Sequence, residues 1–355
     1  MVRMERLSNR AVTMFAALAV TIGVGVFAAA HSQGDTSPTS AASPPAAPGL
    51  TSTLPPSTES TPSTVAAITT RTTPVQSASH DPTLIPICES VAGATSTPRF
   101  GPTLGCRIVA AYGNPLAKGM GILGRLPTQA MLTDIAQRTA AWQKADPTRS
   151  HRCALELIAI SVQATPGAGG LYRARMGADL IDRVLANARG AGCLLILDVQ
   201  AGHSTVAAEL LYLQPWLAQP DVHLALDPEW ALPAGVTPGT RIGTMDGADV
   251  NVAVDLLVRL VDDAKLPPKM LIVHRFLASM VTNPDTIHTP PEIRLVVNMD
   301  GNGAPAKKVG SYKIAQRGMP TTLTGFKLFT LKEHPILQPA DLLALTPAPV
   351  FINYQ

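Results

Sequence analysis

Two acids at the end of a short apolar run, Asp227 and Glu229 in Val222-His223-Leu224-Ala225-Leu226-Asp227-Pro228-Glu229-Trp230, are the strongest chemical signal in the chain. If the backbone stays extended there, both carboxylates leave the same face, roughly 6.6 Å apart at about 3.3 Å per residue. Paired carboxyls in such a place suit acid–base cleavage of a glycosidic bond, which needs one protonated and one ionised carboxyl. Glu229 is the candidate acid, because its longer side chain reaches over a bound sugar. Asp227 or Asp300 is the candidate nucleophile, base or stabiliser. Other polar residues recur where apolar runs stop: Tyr112 and Asn114, Ser161 and Gln163, Asp198 and Gln200, His274, Asn298, and Asn353 with Tyr354. Of these, Tyr112, Asn114, Gln163, Asp198, Gln200, His274, Asn298 and Tyr354 are the candidate substrate-binding residues. Glu156 is the main charge inside an apolar run, and an arginine such as Arg107 or Arg294 is its expected structural partner.

Several weaker signals resolve into structure rather than chemistry. Gly202-His203-Ser204 resembles a nucleophile elbow, but Val206 stands where the closing glycine belongs. Ser204 or Thr205 reads better as a helix cap. A serine hydrolase using Ser204 with His203 or His274 is a lesser reading. Gly167-Ala168-Gly169-Gly170 lacks the Lys-Ser/Thr ending of a phosphate loop. The histidines show neither HExxH nor HxH spacing, and no cysteine pair has metal-finger spacing, so neither a bound metal nor a cofactor is expected.

The elements that position these residues alternate. Strands are read at Arg107–Gly113, Ala154–Gln163, Leu194–Gln200, Val222–Leu226, Met270–His274, Ile293–Asp300, Gly325–Phe329 and Val350–Tyr354. Helical spacing lies over Pro127–Lys144, Met176–Arg189, Thr205–Leu217, Ala248–Ala264, Lys307–Arg317 and Ala340–Leu345. Near-continuous apolar strands are covered on both faces. Eight strands alternating with helices predict a single (β/α)8 TIM-like barrel over residues 81–355, with an open doubly wound sheet as runner-up. In a barrel the polar strand ends gather at one pole, where a ligand site forms. No helix is read after the last strand, so residues 81–106 are expected to cover that gap.

Composition bounds the rest. The chain has 355 residues, 46% of them hydrophobic, and a net charge of +3, too small to argue for nucleic acid. Arg3, Arg6 and Arg10 precede an uncharged apolar run from Ala11 to Ala30. Residues 1–30 fit either a cleaved signal peptide or a retained membrane anchor. Residues 31–80, rich in Ser, Thr, Pro and Ala, read as a disordered linker. Export makes disulfides plausible for Cys88, Cys106, Cys153 and Cys193. Cys153 and Cys193 open neighbouring strands ~4.8 Å apart and are paired with each other, leaving Cys88 with Cys106.

The chain also resembles a family of exported actinobacterial proteins. The resemblance rests on VAAYGNPLAKGMGILG (109–124), LLILDVQAG (194–202), VHLALDPEW (222–230), IGTMDGADVN (242–251), PPKMLIVHRF (267–276) and the stretch from Gly325 to Gln355. It covers most of residues 107–355 and brings no established activity with it. A looser similarity is to barrel glycosidases of the chitinase type. Those end the fourth strand in Asp-x-Glu, as Asp227 and Glu229 do, and the sixth in Met-x-Tyr-Asp, partly matched by Met299 and Asp300. Their further upstream acids correspond here to Ala225 and Val222. The expected function is therefore an exported glycoside-hydrolase-like barrel that binds or cleaves a glycan of the cell envelope or environment. The alternative is a non-catalytic envelope protein holding a glycan or small ligand at the same pole. Membrane contact is expected only through the N-terminal segment.

Overall fold

A computed structural model of the chain describes residues 104–321 and 323–355. The signal or anchor segment, the linker and Cys88 lie outside the described residues, as does most of the segment expected to cover the final gap. What is described is a closed barrel of eight parallel strands. They are β1 (Cys106–Gly113), β2 (Ser150–Val162), β3 (Leu194–Val199), β4 (Val222–Leu226), β5 (Lys269–His274), β6 (Ile293–Met299), β7 (Thr324–Leu328) and β8 (Phe351–Tyr354). Each pairs in parallel with its sequence neighbour, and β1 pairs with both β2 and β8, closing the ring. The open-sheet reading is excluded by that closure.

Helices follow most strands: α1 (Thr128–Ala145), α2 (Ala178–Gly190), α3 (Val206–Leu217), α4 (Gly247–Ala264), α5 (Pro305–Ala315) and the short α6 (Pro339–Leu343). Between β5 and β6 there are only 3-10 turns, at Ala278–Met280 and Pro284–Thr286, and a two-residue strand, Val281–Thr282, which pairs with Met245–Asp246. The local reasons are visible in the sequence. Asp246 and Asp249 form a capping box that starts α4, and its buried stripe Val250, Val254, Leu257 and Val261 repeats at helical spacing. In α1 Met131, Ile135 and Trp142 are buried. Thr139, the polar interruption of that stripe, returns its hydroxyl to the Ile135 carbonyl at 2.8 Å. Thr205 caps α3 by accepting from the Ala208 amide, the cap expected at Ser204 or Thr205.

Side-chain alternation divides the strands between two cores. One set, including Val109, Leu155, Leu195, Leu224, Leu271, Leu295 and Ile352, packs outward beneath the helices. The other, including Ile108, Ala154, Leu194, Ile196, Ala225, Met270, Ile272, Val296 and Phe351, fills the barrel axis. Cys153 and Cys193 are joined, with Cα atoms 4.7 Å apart across β2 and the start of β3.

Candidate active site at the C-terminal pole

Continuing the inward set toward the C-terminal strand ends changes its chemistry. The next inward positions are Tyr112 on β1, Glu156 on β2, Asp198 on β3, Asp227 after β4, His274 on β5, Asn298 on β6 with Asp300 beyond it, Lys327 on β7 and Asn353 on β8. All are buried. The strand period of two forces this outcome once the apolar residues below are turned inward.

The layer is a connected network. His274 Nε2 lies 2.9 Å from Glu156 Oε1, and its Nδ1 lies 3.2 Å from Asp300 Oδ2. The Asn298 amide nitrogen is 3.1 Å from the same Nδ1. Lys327 Nζ donates to Asp300 Oδ2 at 3.1 Å and sits 3.5 Å from the centre of the Tyr112 ring. Tyr112 donates its hydroxyl to Asp198 Oδ2 at 3.0 Å. Gln200 lies beside it, with Nε2 3.4 Å from the Tyr112 oxygen and Oε1 accepting from the Val162 amide. Asn353 donates to Glu156 Oε2. Gly325 leaves the space that Asn298 and Phe351 fill on the inner wall, since a methyl group there would collide with both.

Above this layer stands Glu229. β4 stops at Leu226, and Asp227 becomes the cap of a 3-10 turn, Pro228–Trp230, with Oδ1 accepting from the Glu229 amide at 3.2 Å. The extended Asp-Pro-Glu geometry expected from the sequence is therefore replaced by a turn. Proline restricts φ and starts the turn, so Asp227 points into the barrel while Glu229 is half-buried at its mouth. Gly243 packs against the turn: its amide donates to the Glu229 carbonyl at 2.7 Å. A methyl group at Gly243 would collide with the carbonyl oxygens of Pro228, Glu229 and Ala231.

The charges are uneven. Five carboxyls, Glu156, Asp198, Asp227, Glu229 and Asp300, share the pole; His274 and Lys327 lie within ion-pairing distance of members of this set, and Lys332 acts on Glu229 from farther off. Burial, then the Asp300 carboxylate, pushes the Glu229 carboxyl up to about 7. Burial also pushes Asp198 up to about 7, with Glu156 adding and His274 opposing. Asp227 is raised well above the usual carboxylate range by burial and by Asp198. Asp300 moves the other way: burial is outweighed by Lys327 and His274, which hold it below its ordinary value. For His274 burial is outweighed by Glu156 and Asp300, and its pKa is raised. Two carboxyls in one site with opposite shifts are the arrangement that separates an acid from a base.

Not every expected site residue joins the network. Tyr354 follows the inward Asn353 and so faces outward, where its hydroxyl accepts from Trp142 Nε1 at 3.0 Å and Arg138 stacks on its ring. Asn114 braces a turn, donating to the Ile158 carbonyl and accepting from the Leu116 amide. Gln163 turns back on the Ser161 and Val162 carbonyls. Glu156 is not partnered by an arginine: Arg107 pairs outward with Asp146 at 2.8 Å, and Arg294 bonds the Pro291 carbonyl. Ser204 donates to Glu209, which is also held by Arg173 and Arg175, so its hydroxyl is committed to that ion-pair cluster rather than to a histidine. Lys327 was not anticipated; the signal available was a lysine in the middle of a five-residue apolar strand.

The class these observations define is a (β/α)8 barrel with a carboxylate-rich C-terminal pole. No known family model matches the chain, and no curated protein matches it. Among solved structures, it is similar to a noncanonic maltogenic alpha-amylase, AmyB, from Thermotoga neapolitana, at 10% identity and a TM-score of 0.26. The alignment covers 62% of this chain and 49% of that one, so this chain spans about half the amylase's length. The likeness is too distant to bear on activity.

Proposed function

We propose that the C-terminal pole binds a glycan and cleaves a glycosidic bond, with Glu229 as the proton donor. The observation that carries this reading is the opposed pair at the barrel mouth. Glu229 is half-buried with its pKa pushed up to about 7, over an Asp300 held ionised by Lys327 and His274. A carboxyl that keeps its proton near neutrality can protonate a leaving oxygen, while an ionised neighbour stabilises positive charge on the sugar. Asp227 and Asp198, both raised, set the field around that pair. Their fully buried side chains position the reacting groups. The N-terminal apolar segment and the linker fit a protein that is exported, with or without a tether, and meets an envelope or environmental glycan.

A second reading has its own support. Glu156, Asp198, Asp227 and Asp300 each already have a partner inside the protein. A layer that largely satisfies itself also suits a non-catalytic pocket that holds a glycan or small ligand. Hydrolysis of purified envelope glycans by the wild type and by Glu229→Gln separates the two. The expected result is product formation by the wild type, reduced roughly 10²- to 10⁴-fold in the variant, with an unchanged fold by circular dichroism. Ligand-dependent stabilisation without product, equal in both proteins, supports the binding reading instead.

A further inference from the structure

The polar layer contains three buried oxygens with no hydrogen-bond partner among the described residues: Asp198 Oδ1, Asn298 Oδ1 and Asn353 Oδ1. Bare acceptors in a dry interior cost free energy unless something with positive character lies against them. Asp198 Oδ1 is the most telling. It lies 3.9 Å from His274 Nε2, beyond hydrogen-bonding distance, and its residue is fully buried. His274 Nε2 is at the same time 2.9 Å from Glu156 Oε1. A nitrogen and two carboxylate oxygens, one from each of the three residues, all lie within 4.8 Å of one another.

We propose that Glu156, Asp198 and His274 bind a divalent transition-metal cation of the zinc type inside the barrel. Ligand atoms about 2.0–2.2 Å from zinc at tetrahedral angles are roughly 3.3–3.6 Å apart. The 2.9 Å and 3.9 Å separations bracket that spacing. The three ligands come from β2, β3 and β5, rigid strands rather than loops, which favours a defined geometry.

The atoms behind the ligands fit the same reading. His274 Nδ1 faces Asp300 at 3.2 Å, which orients the ring and leaves Nε2 for a cation. The second oxygen of Asp198 is held by the Tyr112 hydroxyl at 3.0 Å. That of Glu156 is held by the Asn353 amide. Each ligand thus offers one atom to the shared space and has its other atom fixed from behind. The mixed nitrogen and oxygen set suits zinc, and manganese more weakly. A divalent cation also offsets the excess of carboxyls over Lys327 and His274. Glu229 is not among the three ligands, although His274 acts on it electrostatically from the layer below; cation binding itself does not require sugar cleavage.

The test uses the untagged full chain, stripped with a chelator and titrated calorimetrically with zinc chloride. The expected result is one zinc per chain and a higher melting temperature on loading. His274→Gln and Asp198→Asn, each checked for folding, lose that binding. His288→Ala retains it; His288 is an exposed histidine 2.9 Å from Asp255 and the rival surface site. Pulsed electron paramagnetic resonance of the manganese-loaded wild type is expected to show coupling to a histidine nitrogen, a measurement that needs no variant. Absence of zinc binding by the wild type, binding unchanged in both interior variants, loss of binding in His288→Ala, or a manganese signal without nitrogen coupling would each overturn the proposal. In that case the His274–Glu156 contact is an ordinary buried ion pair.

Discussion

At the scale of single residues, the pole works by setting like groups against one another. Asp198 has an ordinary pKa near 3.8, raised in the folded chain to about 7. Below about 3.8 it is protonated whether the chain is folded or not, and it leaves stability unaffected. Between about 3.8 and 7 the unfolded chain releases the proton that the folded chain retains, so stability falls as pH rises through this window. Glu229, raised from 4.5 to about 7, has the same sign over a similar range. With a chelator present, melting temperature measured across that window is expected to decline more steeply for the wild type than for Asp198→Asn, which cannot titrate there. Equal slopes would show that Asp198 does not retain a proton in the fold. Much of this site was legible in the sequence. Asp227, His274 and Asp300 each end an apolar run and fall in the inward set. Lys327 and Glu156 sit within strands, where their direction depends on which face closes the barrel. Asn353 and Tyr354 are adjacent, and only register tells that the first faces the axis and the second faces α1.

At the scale of elements, the decisive piece is the 3-10 turn that lifts Glu229 above Asp227. The sequence marked it with Pro228, but a proline announces a break without giving the direction that follows. Gly243 braces the turn from outside, its chain passing too close for any side chain and its amide bonding the Glu229 carbonyl. Gly243→Ala is expected to displace the turn, cost about 1–3 kcal/mol by overpacking, and reduce glycan cleavage by more than the stability loss explains. Denaturant unfolding beside turnover at a fully folded temperature checks this, and wild-type turnover in the variant would remove Glu229's placement from the account. The Cys153–Cys193 bond is an element-level clamp between β2 and the entry to β3, closing a loop of 40 residues. Loop entropy alone assigns it about 4 kcal/mol. Cys153→Ser with Cys193→Ser is expected to lower unfolding free energy toward that amount without altering the pole, which is at the other end of both strands. Loss of activity in a double variant that still melts cooperatively would contradict that separation.

At the scale of the whole molecule, the barrel divides its labour along its axis. Apolar residues such as Ile108, Ile196, Ile272 and Phe351 close the lower interior, and the polar layer rests on them. Eight polar or charged strand ends would scatter in an open sheet; ring closure by β1 with β8 and β2 brings them together. That is why the alternation of elements was enough to read the fold, while the identity of the network needed the ring. The role proposed for Glu229 is delivery of a proton to the leaving oxygen. The most direct measurement compares Glu229→Gln on a natural glycan and on an aryl glycoside whose leaving group needs no proton. Cleavage of the natural glycan is expected to collapse while cleavage of the activated substrate persists near the wild-type rate. Equal loss on both substrates, or no loss on either, would contradict that role.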